Sequence, residues 1–196
     1  MAENTTITTG KVRFSYTHVF EPHTNDPTQK PKYSITVLLP KSDTVTKAKI
    51  DAAILAAKTR GIAEMWGGKA PAIVNTPVYD GDGVRPNGER FGPECAGCWV
   101  FTAGAKASQK PRVVDMNLND ILDQTEVYSG CYGRVNVTFY PYSNPARKGI
   151  GCGLNHVQKI CDGEALGGNR ISVGEAFGDG FVDADAGVDE FGLPFN

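Results

Sequence analysis

Residues 131–142, CYGRVNVTFYPY, alternate between two sides without a break. Cys131, Gly133, Val135, Val137 and Phe139 fall on one side. Tyr132, Arg134, Asn136, Thr138, Tyr140 and Tyr142 fall on the other, with Tyr128 in the same phase upstream. A period of two sustained over such a length belongs to an extended strand buried on one face. A strand leaves its backbone donors and acceptors unpaired, so this stretch obliges the rest of the chain to supply partner strands.

Other segments answer that demand. Residues 11–20 place Val12, Phe14, Tyr16, His18 and Phe20 on one side and Lys11, Arg13, Ser15 and Thr17 on the other. In residues 32–39, Tyr33, Ile35, Val37 and Leu39 oppose Lys32, Ser34 and Thr36, and Pro40 stops the run. Residues 98–101 and 112–115 form a hairpin in this reading, with Lys106, Lys110 and Arg112 at its Gly/Ser/Pro-rich tip. Residues 149–160 read as a closing strand: Leu154, His156 and Gln158 lie opposite Asn155, Val157 and Lys159, and either side could face inward. One helix is expected. Ser42, Asp43 and Thr44 supply capping side chains, the following stretch is rich in Ala, and Ile50, Ile54 and Ala57 form a stripe. Gly67-Gly68 ends it. Residues 1–10 read as a loose start, 21–31 and 69–94 as loops, and 117–127 as a connection with one helical turn. With 23 Gly and 12 Pro, turns are plentiful. Five strands, one helix and no repeating βαβ rhythm point to a small antiparallel barrel.

Charge divides the chain in two. Residues 175–196 hold Glu175, Asp179, Asp183, Asp185, Asp189 and Glu190 and no Lys or Arg, which leaves 20 bases against 16 acids on residues 1–174. The expected organisation is therefore a basic domain over 1–174 and an acidic tail over 175–196. The apolar residues of the tail follow no period, so it carries no core of its own. A basic body suits a polyanion, because each cation releases counterions from a phosphate. The tail can compete for the same groove. Phe191 and Phe195 beside Asp183, Asp185, Asp189 and Glu190 suit a partner's pocket; a merely solubilising tail is the other reading.

The outer side of residues 128–142 has two readings. Tyrosines on one side of a strand pack across a sheet. Together with Arg134 they also make a platform for unpaired bases. On the second reading Tyr128, Tyr132, Tyr140, Tyr142 and Trp99 stack bases, and Lys106, Lys110, Arg112, Arg134, Arg147 and Lys148 meet phosphates. Lys11, Arg13, Lys30 and Lys32 extend the track.

Catalytic patterns are missing. The chain has no P-loop, no HExxH, no GxSxG and no dinucleotide-binding glycine pattern. His18, His23 and His156 have no evident nucleophile partner. Cys95-x-x-Cys98 is half a zinc signature; Cys131, Cys152, His156 and Cys161 could complete it, and free thiols are the alternative. The expectation is no enzyme, no cofactor and no metal. Asp80 and Asp82 lack the further acids of a calcium loop and read as turn residues. No apolar run reaches the length of a membrane span and no signal-peptide core opens the chain, so a cytoplasmic protein is expected. A virion or other interaction protein, and a Cys/His enzyme, are the rival classes.

Taken together, GKVRFSYTHVFEP, KYSITVLLPKSD, the helix after it, YSGCYGRVNVTFYPY and the acidic end with its aromatics resemble the phage single-stranded DNA-binding proteins of the T7-type and Enc34-like family. The resemblance covers most of the chain. It implies an oligonucleotide-binding (OB) barrel, which has this number of strands, with one added helix. It also implies sequence-nonspecific single-stranded DNA binding in phage replication and recombination. The tail would recruit replication enzymes (a polymerase, helicase, primase or nuclease) in the cytoplasm of an infected bacterium, and a homodimer is compatible with it. The tail departs from the family pattern in being short, with spaced acids and Asn196 after Phe195.

Overall fold

The computed structural model describes residues 4–167. The expectations for Asp183, Asp185, Asp189, Glu190, Phe191 and Phe195 lie outside the described residues. Within them are the strands β1 (Thr6–Thr8), β2 (Val12–His23), β3 (Lys32–Pro40), β4 (Val78–Asp80), β5 (Cys98–Lys106), β6 (Arg112–Val114), β7 (Tyr132–Ser143) and β8 (Lys148–Cys161). One helix, α1 (Thr44–Glu64), and two single 3-10 turns, Pro93–Cys95 and Gln124–Glu126, complete the list.

Five strands pair in a ring: β2 with β3, β3 with β5, β5 with β8, β8 with β7, and β7 with β2. The β5–β8 seam is parallel and rests on one residue pair, Gly104 opposite Gly153. The β7–β2 seam rests on two, Val12–Gly133 and Arg13–Tyr132. The sheet departs from the expected five antiparallel strands. β1, β4 and β6 add to β7, β5 and β8, and the β6 pairing is parallel as well. Each of the three is three residues long, too short to show a period. The expected hairpin of residues 98–115 does not form, because β5 pairs with β3 while β6 pairs with β8. The supposedly loose start contains β1, whose Thr6 and Thr138 hydroxyls lie 2.8 Å apart.

Alternation holds along β7. Gly133, Val135, Val137, Phe139 and Pro141 are buried, and their neighbours are partly or fully exposed. The inward residues join Val12, Phe14, Ile35, Val37, Leu39, Phe101 and Leu154 in one core. Each large aliphatic or aromatic side chain fully buried there contributes about 1.5–3 kcal/mol. At Gly133 a Cβ would run into the Phe14 ring and the Gln158 carbonyl oxygen, so the β2–β7 seam closes over bare backbone.

Of four register shifts in the described sheet, two bulges set the phase elsewhere. Ser15 is opposite Thr36 and His18 is opposite Ser34, so three steps on β2 match two on β3. The extra residue reverses the alternation. Val19 turns into the core instead of His18, and Tyr16 stands 60% exposed at φ 46. On β8, Asn136 is opposite His156 and Val137 opposite Leu154, which makes Asn155 the extra residue. Leu154 and Val157, on opposite sides by simple alternation, are both buried. The Asn155 amide donates to Asn136 Oδ1 at 2.8 Å and Thr138 Oγ1 at 2.9 Å, which fixes the bulge.

The helix begins where capping chemistry places it. Asp43 Oδ1 accepts from the Thr46 backbone N–H at 2.9 Å, and the Thr46 hydroxyl accepts from the Gly10 N–H. Ile50, Ala53 and Ala57 are buried, and Ile54 packs against the same core. Trp66, just past the helix, donates its Nε1–H to the Tyr142 carbonyl at 3.2 Å.

Candidate nucleic-acid interface

The outer side of β2, β3 and β5 carries a groove. One cavity of about 530 Å³ lies under the loop that precedes β5, and a second of about 320 Å³ lies beside the β2–β3 loop. Tyr16, Thr36 and Thr102 line both, so the two adjoin. The floor is polar and small: the Thr36 and Thr102 hydroxyls meet at 2.9 Å across β3 and β5. The walls are aromatic. Tyr16 stands at the junction, with Tyr79 and Phe91 in the larger cavity, their ring centroids 6.4 Å apart. His18 and His23 stack at 4.2 Å with planes 12° apart and line the smaller one. Burial first, and then the charge of His23, lower the His18 pKa below its ordinary 6.5.

The groove is cationic at its top edge. Lys30 and Lys32 line it. Lys32 is directly opposite Lys106 in the β3–β5 register, and both are exposed. Like charges placed opposite one another across two strands are destabilising. A polyanion reverses the sign of that term.

A second cationic surface lies on β6, β8 and β7. Arg112 and Arg134 line one cavity of about 270 Å³ with His156 and Asn136, and Lys110 lines a neighbouring cavity that shares those two residues. Both arginines are anchored. Arg134 Nε donates to the Thr9 carbonyl at 3.0 Å, and Arg112 pairs with Asp120 at 2.9 Å. Lys110, Arg112 and Arg134, remote in sequence, are thus brought together, and Lys106 sits on the groove edge that precedes them in the chain.

The tyrosines are not brought to one place. Tyr132 and Tyr140 are eight residues apart on β7, roughly 26 Å at the usual rise of a strand. Lys11 lies over the Tyr132 ring at 5.0 Å and Arg13 at 5.6 Å. Tyr128 donates its hydroxyl to the Gly163 carbonyl at 2.9 Å, and Lys159 lies 5.8 Å over its ring. The Tyr140 ring, 42% exposed, packs where a side chain at Gly151 would project. Tyr142 is half-buried beside Gly149. Arg147 and Lys148 are exposed at the β7–β8 turn. Trp99 sits between Lys41, 5.1 Å from its ring, and Lys47, 4.6 Å away. Lys41 in turn holds Asp80 at 2.6 Å and Asp82 at 2.7 Å.

Tyr16, His18, His23, Tyr79, Arg85 and Phe91 were not among the sequence-derived site residues. Tyr16 fits a core position by alternation, and only the bulge, invisible in composition, turns it out. Phe91 and Arg85 stand in a Gly/Pro-rich loop, where no period singles them out. All five cysteines are unpaired. Burial pushes the Cys95 thiol up to about 11 and raises Cys98, Cys131 and Cys152 as well. Among the described residues, no three His, Cys, Asp or Glu side chains gather as metal ligands, and no helix is long and apolar enough to cross a membrane.

The sequence profile of the family described as "Enterobacter phage Enc34, ssDNA-binding protein" matches residues 5–187. Protein p50 of Acyrthosiphon pisum secondary endosymbiont phage 1 is 32% identical over 183 residues, covering 88% of this chain and 92% of that one. The solved single-stranded DNA-binding protein from bacteriophage Enc34, in complex with ssDNA, is similar over 83% of this chain and 90% of its own, at 30% identity and a TM-score of 0.69. The single-stranded DNA-binding protein gp2.5 of bacteriophage T7 has a TM-score of 0.60 over 91% of this chain and 98% of its own. Its 16% identity makes that a likeness of fold alone.

Proposed function

The chain belongs to the Enc34 single-stranded DNA-binding protein family, and from that premise we propose that it binds single-stranded DNA along the β2–β3–β5 groove. The strand crosses Tyr16 and the His18–His23 stack, passes between Lys32 and Lys106, and continues over Lys110 to the Arg112–Arg134 surface. Phosphate contacts and stacking on rings are blind to sequence, so the activity is general coating of unpaired DNA. Tyr140, Tyr142, Arg147, Lys148 and Trp99 share no cavity with the groove, and we assign them no place on this track. The ring of five strands with one parallel seam is read as an OB barrel elaborated by β1, β4, β6 and α1.

The supporting observation is the Lys32–Lys106 pair at the rim of a groove with exposed rings. A protein whose partner carries no anionic groups gains nothing from that arrangement. A cysteine nucleophile is disfavoured because the buried thiols are held protonated at neutral pH. The domain of residues 1–174 would hold the DNA in replication and recombination, and the tail of 175–196 would recruit replication enzymes through Asp183, Asp185, Asp189, Glu190, Phe191 and Phe195. The test is a gel shift with oligo-dT and with duplex. Preferential retention of the single strand is expected, and equal retention of both would defeat the reading.

A further inference from the structure

The larger cavity contains a pair of groups that the coating function leaves unused. Arg85 and Glu94 both line it. Arg85 lies with its guanidinium 5.2 Å over the Phe91 ring, and its Nε is buried with no hydrogen-bond partner among the described residues. It is the one buried side-chain nitrogen or oxygen left so among them. A buried donor without an acceptor is costly, and a charged one more so. Glu94 is the one acid among the residues lining the same cavity, yet the two form no ion pair; the described pairs lie elsewhere. Arg85 and Glu94 line one aromatic-walled cavity without an ion pair between them, an arrangement that suits a ligand accepting on one edge and donating on the other.

We propose that the cavity walled by Tyr79 and Phe91 takes one base of the bound strand, and that Arg85 and Glu94 select guanine there. The inference rests on the single-stranded DNA reading. Guanine presents O6 and N7 as adjacent acceptors, the pattern a guanidinium reads. On its pairing edge N1–H and N2–H₂ are adjacent donors, which a carboxylate accepts together. Thymine offers one N–H between two carbonyl oxygens, which repel a carboxylate. Cytosine and adenine each offer an amino group beside an acceptor, so the carboxylate gains one bond and meets one lone pair. At about 530 Å³ the cavity is within the range of small-ligand pockets. The remaining track stays sequence-blind, so this is one reading position on a general binder.

The experiment is fluorescence anisotropy with labelled short oligo-dT, the same strand with one central dG, and the same with deoxyinosine there, which lacks the N2 amino group. Wild-type protein should hold the dG strand about tenfold tighter than oligo-dT, with deoxyinosine in between. Glu94→Gln and Arg85→Gln should each bring the dG-to-dT ratio towards one. The inosine strand makes the same test on unmodified protein, independent of how either variant folds. If dG and dT strands bind alike while oligo-dT is held, the guanine assignment is wrong and the groove stands. If neither strand is held, both readings fall.

Discussion

Lys32 and Lys106 face one another across β3 and β5, exposed and without a carboxylate paired to either among the described residues. Gly104, two residues before Lys106 on the same side, leaves the Lys32 stem room to lie across β5. The opposition costs the fold and benefits an anion. Lys32→Ala or Lys106→Ala should therefore raise stability by ~0.2–1 kcal/mol in thermal melts. The same variants should weaken oligo-dT binding and lower the slope of log affinity against log salt by about 0.7 each, as for one lost single-strand phosphate contact. A salt slope identical to wild type would remove the pair from the track.

Tyr16 presents the same trade within one residue. A non-glycine side chain at φ 46 is strained by roughly 1–2 kcal/mol, and this one is spread on the surface instead of packed. Tyr16→Gly should stabilise the protein to denaturant and cost ~1–3 kcal/mol of oligo-dT affinity through lost stacking. Tyr16→Phe should keep that affinity. A Gly variant that binds as tightly as wild type would place the strand elsewhere.

The two bulges also explain what was legible in the sequence and what was not. β7 and α1 follow their periods throughout, because each has one buried face and its cap or stop lies in the adjacent residues; β3 follows its period as far as Leu38, which is buried on the other side against Cys95 and Val100. Asp43 capping Thr46 is a local event that the sequence states directly. Tyr16 and Asn155 are extra residues whose effect depends on the strand across from them, so alternation places His18 inward and leaves Leu154 against Val157 unresolved. The failed hairpin has the same cause. Val113 lies beside Val157, far away in sequence, and nothing within residues 98–115 announces it. Charge singles out Lys110, Arg112 and Arg134 in the sequence, and the fold brings the three to one surface. The aromatic groove is not marked in this way, because its rings come from the bulged β2, the three-residue β4 and the loop that holds Phe91.

The histidine stack gives the groove a pH dependence. His18 is held below 6.5 by burial, then by His23. The other charged groups around it are Asp26, Lys30 and Lys32. Asp26 is engaged by Thr28 and Gln29. With its folded pKa depressed, His18 contributes stability that is present above about pH 6.5 and lost as pH falls through the folded value. A phosphate over the stack acts the other way, favouring the protonated ring. Oligo-dT affinity should rise from about pH 7.5 to about 5.5 while stability to denaturant falls. His18→Gln should flatten both profiles. Affinity that is flat with pH in wild type would mean no phosphate reaches the stack.

The acidic end allows a prediction from charge alone. Residues 179–196 carry five acids and no base, and at neutral pH they are a polyanion tethered to a basic domain. A competitor carried on the same chain acts at an effective concentration that can reach about the millimolar range, so it need not bind tightly to matter. Removing residues 179–196 should tighten oligo-dT binding several-fold at low salt, and the gain should shrink as salt rises, because screening weakens the competitor as well. The same truncation should reduce capture of replication enzymes by DNA-bound protein. A truncated chain that binds DNA no more tightly at low salt would leave the tail no role in competition, and lost capture alone would then assign it to recruitment.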